Sequence, residues 1–271
     1  MSAQDLFRAG RLGEAVEAQT AEVRAHPGDA ERRYLLFALL GFTGDLDRAS
    51  RQLDALGAGD ERLQGAAGIY RNLLASEAER RRAFAGESRP VIPPDGPAWL
   101  SKRVDAIAAC AANDEARVGE LLAQSQAEEG ATAGVCGDRA FDAISDTDSL
   151  LGPTLEIYAG GRYVLLPFAS LRRLSIPDPQ HVLDLLWTPA HLTDVHGTEA
   201  DVHLPVLYAG SGDAAEDGLR LGRGTEWYEA GPAVRGRGQK VLALGGGGHD
   251  EDVALLSIRE LTIAESPPGG R

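Results

Sequence analysis

"GRLGEA" (Gly10–Ala15) and "GDLDRA" (Gly44–Ala49) stand thirty-four residues apart, with glycine, leucine and alanine in register. The register extends beyond them. Leu36, Leu39, Leu40 and Gly41 in "YLLFALLG" shift by the same interval onto Tyr70, Leu73, Leu74 and Ala75 in "GIYRNLLA". That puts apolar on apolar and small on small, and Ala15 and Ala49 shift again onto Ala83. Recurrence at such an interval marks stacked helix pairs, each of which buries its apolar face only against the next. Small residues let two helix backbones approach, and leucines and tyrosines fill the layer between them.

The interval is that of the tetratricopeptide repeat, and the helical part resembles that family. Pro27 in "HPGDAE" matches its closing proline, whereas Gln19 stands where a bulky apolar residue is usual. The resemblance places Arg8, Tyr34, Ala38, Gly41, Phe42 and Asn72 on the concave inner face. Those six form the expected partner-binding groove, floored by small residues and edged by aromatics. Such a surface suits an amphipathic helix better than a charged peptide tail. The competing expectation is that Tyr34 and Phe42 pack against a neighbouring domain.

Composition narrows the partners. The net charge of −14 is unevenly placed: residues 1–90 hold 13 Lys/Arg against 14 Asp/Glu, and residues 91–271 hold 14 against 27. Phosphate backbones repel such a surface, so nucleic acid is not expected. No apolar run approaches the roughly 20 residues of a membrane span, so no membrane partner is expected either. "MSAQDLFRAG" lacks the basic start and apolar stretch of a signal peptide. Two cysteines, Cys110 and Cys136, fall far short of a disulfide framework, which points to a cytoplasmic address. Arg80, Arg81 and Arg82 follow Glu77 and Glu79 on a helical pattern and read as a solvated, ion-paired face.

The four prolines of "GESRPVIPPDGPAWL" (Gly86–Leu100) break the helices with a linker or extended strap. Two further helices, separated by the Asn113-Asp114 turn, carry the pattern to about Glu129. The small, acidic stretch that follows reads as a junction. After Pro153 the period changes. "TLEIYAGGRYVLLP" is a hairpin around Gly160-Gly161. "PFASLRRL" and "PQHVLDLLW" read as short helices, and "HLTDVHG", "ADVHLPVLY", "TEWYEA", "QKVLALGG" and "DVALLSIRELTIA" as strands. The expected architecture is multidomain: an all-α, tetratricopeptide-like domain over 1–135, then a small, mainly antiparallel α+β domain over 150–265.

The order "LEIYAGGRYVLLPFASLRRLSI", "DLLW", "HLPVLY", "LRLGRGTEWYE", "VRGRGQKVLAL", "LLSIRELTI" resembles the ImpE/TagJ family of bacterial type VI secretion accessory proteins. The N-terminal "LFRAGRLGEAVEAQ" is similar to that family's opening. The resemblance implies a non-enzymatic adaptor. Its partner would be the N-terminal helix of the small contractile-sheath subunit and, indirectly, the AAA+ ATPase that disassembles sheath.

The residues themselves offer no catalytic constellation and imply no cofactor. There is no G-x-S-x-G elbow. "GGGGHDED" has glycines without the Lys-Ser/Thr of a phosphate loop and reads as a flexible tip. His191, His196 and His203, with Asp194 and Asp201, are spaced so that strands would split them between two faces, so no metal is expected. His249, Asp250, Glu251 and Asp252 read as a solvated hairpin. Asp184 is placed to cap a helix or bond a nearby backbone, Arg220 and Arg223 to pair with the acidic surface around Glu226 and Glu229, and Trp187 and Trp227 to lie in or near the core with bonded indoles. Two alternatives remain from other classes: an enzyme with an unfamiliar, hydrolytic site in the second half, and a general cytoplasmic tetratricopeptide scaffold.

Overall fold

Gly10 and Gly44 both adopt left-handed backbone in the computed structural model, with φ of 80° and 73°. Each closes a helix by the same pair of hydrogen bonds. At the first, the N–H groups of Gly10 and Arg11 donate to Phe7 and Leu6; at the second, those of Gly44 and Asp45 donate to Gly41 and Leu40. Glycine is favoured there because a Cβ strains left-handed backbone. These stops separate α1 (Ala3–Arg8) from α2 (Leu12–Ala25) and α3 (Ala30–Phe42) from α4 (Leu46–Gly57). Ala15 and Ala49, the repeat alanines, are fully buried where the helices cross. The structure describes residues 1–57, 61–246 and 249–264.

The third repeat departs from the pattern. Thirty-four residues after Gly44 stands Ala78, and no turn forms. Instead α5 runs unbroken over Glu61–Phe84 and ends at Gly86, again left-handed. Leu73, Glu77, Arg80 and Phe84 therefore share one stripe of a single helix, and that stripe faces the second half of the chain. The proline-rich segment then runs as an extended strap. Val91 exchanges backbone hydrogen bonds of 2.9 Å with Tyr163 and Leu165, covering the edge of a sheet. Helices α6 (Ala98–Ala111) and α7 (Glu115–Gln126) follow, joined through left-handed Asn113 and capped by Asp114.

Most of the rest is antiparallel sheet, with one short helix, α8 (Asp217–Arg220), among the described residues. An eight-stranded sheet has the order β2-β1-β13-β6-β7-β8-β4-β5. Its strands are β1 (Gly134–Cys136), β2 (Arg139–Phe141), β4 (Thr154–Ala159), β5 (Arg162–Pro167), β6 (Leu171–Ser175), β7 (Trp187–Asp194), β8 (Glu199–Pro205) and β13 (Glu260–Ile263). A three-stranded sheet joins β3 (Ala143–Asp146), β11 (Val241–Gly246) and β12 (His249–Ala254), and β9 (Thr225–Ala230) pairs with β10 (Ala233–Gly238). Phe168, Leu171, Leu174, Leu204, Leu242 and Leu261 fill the apolar layer of this half. The expected hairpin at Gly160-Gly161 is present, both glycines left-handed.

Several local expectations are corrected. The acidic stretch read as a junction forms β1, β2 and β3. The two short helices shrink to 3-10 turns at Phe168–Ser170 and Val182–Leu185, and all of "LRRL" lies in strand β6. Gly247 and Gly248 of the glycine-rich tip, the side chains of His249 and Asp250, and the boundary residue Glu265 lie outside the described residues.

A buried ionic cluster joins the halves. Arg80 is 2% exposed, not solvated; of the arginine run only Arg82 is exposed. The Arg80 guanidinium grips Glu156 of β4 with hydrogen bonds of 2.7 and 2.9 Å and donates to the Leu207 carbonyl at 2.9 Å. Lys240 reaches Glu156 from the other side and meets Asp146 at 3.2 Å. Tyr163 donates to Glu156 at 2.7 Å, Tyr208 to Asp146 at 2.9 Å, and Tyr158 to Glu77. Burial alone would raise the Glu156 carboxyl, but Arg80 and Lys240 outweigh it and hold it well below the usual carboxylate range. Burial pushes Asp146 the other way, up to about 6, against the pull of Lys240.

Removing one member of such a cluster strands its partners as buried charges, at about 3–5 kcal/mol. Arg80→Met is expected to lower the unfolding free energy by that amount in urea titration, and Arg82→Met, on the exposed side of α5, by less than about 0.5 kcal/mol. Asp146 predicts a pH dependence. Its folded pKa of about 6 lies above the unfolded value of about 3.9, so its contribution is fully present below about pH 4 and is lost as pH rises through 6. Wild type should therefore gain stability relative to Asp146→Asn between about pH 7.5 and about pH 5, measured by urea unfolding at both; parallel profiles would contradict the assignment.

Candidate functional site

The six residues expected to form the groove do not come together. Ala38 and Phe42 are 0% and 1% exposed, sealed in one core with Leu183, Leu186 and Trp187. A Cβ on Gly41 would sit 2.9 Å from Leu186 Cδ2 and 3.7 Å from the Trp187 ring. The chain itself occupies that part of the concave face. The Val182–Leu185 turn enters it, held by Asp184, whose carboxylate accepts from the N–H groups of Gln180 at 2.8 Å and His181 at 2.9 Å. Arg8 is exposed on α1. Asn72 is exposed on α5 and lies against the β4–β5 turn, its Oδ1 within 3.2 Å of a Cβ on Gly161.

Of the six, Tyr34 lines an apolar cleft, whereas Asn72 lines a separate cavity of about 150 Å³ with Tyr158 and His203. A cleft of about 540 Å³ remains where α3, α4 and α5 are not covered by the 182–187 segment. Tyr34, Leu35, Leu53, Leu56, Ala67, Tyr70 and Val182 line it, with Gln4, Glu31 and His181 among its polar lining. The Tyr34 and Tyr70 hydroxyls hydrogen-bond each other at 3.1 Å, and their rings lie 5.8 Å apart. Phe37 braces Tyr70 edge-on at 5.3 Å. Burial, then the bond to Tyr70, raises the Tyr34 phenol well above its ordinary range, so that hydroxyl stays protonated. The cleft is thus a largely apolar slot whose aromatic wall is already hydrogen-bonded. It can take apolar side chains without stranding a polar group.

Sequence reasoning missed most of these residues. Tyr70 was within reach, since it sits one repeat after Leu36. Val182 carried no local signal, because its placement depends on a fold-back from the second half. Gln19, out of place in the repeat, is 4% exposed and ties α2 to α3 by donating to the Arg32 carbonyl at 2.8 Å.

Other candidates resolve into structure. His191 pairs with Asp201 across β7 and β8 at 2.8 Å, and His196 meets Asp95 at 3.3 Å. Among the described residues no three His, Cys, Asp or Glu side chains are grouped to hold a metal ion, and no helix is long and apolar enough to cross a membrane. Arg223 does not pair near Glu226; it caps α1 by donating to the carbonyls of Phe7 at 2.7 Å and Arg8 at 2.9 Å. Arg220 bonds Ala214 and Asp217. Trp187 is buried, yet its indole N–H has no acceptor among the described residues, while Trp227 is 39% exposed.

Residues 138–262 match the family model described as ImpE protein. The chain is 35% identical to the type VI secretion system accessory component TagJ of Pseudomonas aeruginosa, over 96% of this chain and 90% of that protein. The fold is that of the crystal structure of protein VPA1032 from Vibrio parahaemolyticus, with a TM-score of 0.89, 24% identity and coverage of 97% of this chain and 98% of that one. The chain belongs to the ImpE/TagJ family of type VI secretion accessory proteins.

Proposed function

We propose that the protein is a cytoplasmic, non-catalytic adaptor of a type VI secretion system. The cleft beside Tyr34 and Tyr70 receives the N-terminal helix of the small contractile-sheath subunit. Through that grip it links sheath to the AAA+ ATPase that disassembles it. The observation carrying the reading is the open apolar slot beside a stretch of the concave face that the chain's own core fills. A helix laid there can bury apolar side chains at i, i+3 and i+4 against Leu35, Leu53 and Tyr70. The relationship to an accessory component supports a role exercised through protein partners.

This relocates the groove from Ala38, Gly41 and Phe42 to the Tyr34 end of α3. A few buried apolar anchors carry most of the energy of such an interface, so charge placed among them should cost at least about tenfold in affinity. Leu35 and Val182 are only partly buried, so both tolerate substitution better than Phe42. Leu35→Asp and Val182→Asp are each expected to weaken capture of a labelled peptide spanning the sheath subunit's N-terminal segment. Fluorescence titration reads the affinity, with urea unfolding curves alongside to show that each variant is folded. Unchanged binding in both folded variants would contradict the proposal.

A further inference from the structure

Beside the cleft lies a second, more polar compartment of about 380 Å³; Gln4, Glu31 and Leu35 line both. Charges are unevenly matched along this seam. Arg32 is held by Glu22 and by Asp29, the latter at 2.9 Å. Arg33 turns away, donating to the Pro27 carbonyl at 2.6 Å and to Gln52 at 3.1 Å. Glu31 is exposed and has no ion-pair partner among the described residues. A solvent-facing carboxylate thus stands where the apolar slot gives way to the polar one.

Resting on the reading that the cleft takes a helix, we propose that its occupant is an amphipathic helix with a basic flank. Its apolar side chains enter beside Tyr34 and Tyr70, and a lysine or arginine about one turn along the helix meets Glu31. One turn advances about 5.4 Å along the helix axis and keeps the basic side chain on the face that meets the protein. The apolar slot accepts many greasy faces alike. A charge at one end distinguishes the two directions in which a helix can lie and fixes its register, which is the usual contribution of electrostatic complementarity. Glu31 is therefore a specificity-determining residue of the cleft rather than its main source of affinity.

The test uses the full chain and the sheath subunit's N-terminal peptide, in native sequence and with each lysine or arginine replaced singly by glutamate. Glu31→Lys is expected to weaken binding of the native peptide about tenfold, combining a lost attraction with a new repulsion. One of the glutamate peptides should bind Glu31→Lys better than the native peptide does, and bind wild type worse. The difference between wild type and Glu31→Gln should shrink as salt rises from about 0.05 M to about 0.5 M, where screening lengths fall to a few ångströms. If Glu31→Lys binds the native peptide as wild type does while Leu35→Asp loses it, the charge assignment is overturned and the cleft stands. If neither variant changes binding, the cleft reading is overturned with it.

Discussion

Glu156 is the point on which the rest of the molecule turns. Its carboxylate is buried on β4 and takes a guanidinium from α5, an ammonium from Lys240 and a phenol from Tyr163. No apolar residue could replace it without stranding two buried cations. The cluster is costly to desolvate, and what it gains in return is a defined geometry: Arg80 reaches Glu156 only with α5 at one height and rotation on the sheet. Neighbouring bonds repeat the constraint, since Glu79 accepts from the Tyr163 N–H at 3.0 Å and Ser76 donates to the Arg162 carbonyl at 3.2 Å.

That docking decides what surface is left. With α5 fixed against β4 and β5, the Val182–Trp187 segment reaches back over α3 and fills the curve that stacked helix pairs would otherwise leave open. Arg223 adds a tie from the second half to the end of α1. The first half is therefore not a free-standing array with a long groove. Its open part is the Tyr34 end, where the covering segment stops at Val182 and an apolar slot remains. The proposed guest helix would meet a pre-shaped wall, because Tyr34, Phe37 and Tyr70 already brace one another.

The helical hairpins were legible because their signal is local. Left-handed glycines at Gly10 and Gly44, and buried alanines five residues later, follow from backbone sterics within a few residues. The hairpin at Gly160-Gly161 and the antiparallel strands were legible for the same reason. Arg80 was misread because three arginines after two glutamates look like a solvated face, and its partner lies 76 residues away. The loss of the third turn was written at Ala78, where the repeat offers no glycine. Strands β1, β2 and β3 are three or four residues long, too short for a clear period. Nothing near Ala38, Gly41 or Phe42 records that Leu183, Leu186 and Trp187 will cover them. Tyr34 lies beyond the reach of that cover.

Under the proposed function, the sheath helix binds at the open slot at one end of α3 rather than along the curved face as a whole. Hydrogen–deuterium exchange of the full chain, with and without saturating sheath peptide, tests it without altering the protein. The account predicts new protection over residues 30–35, the end of α4 and the segment around His181 and Val182, with the outer face of the eight-stranded sheet unchanged. Protection confined to the sheet or to the exposed β9–β10 ribbon, with none at residues 30–35, would contradict it.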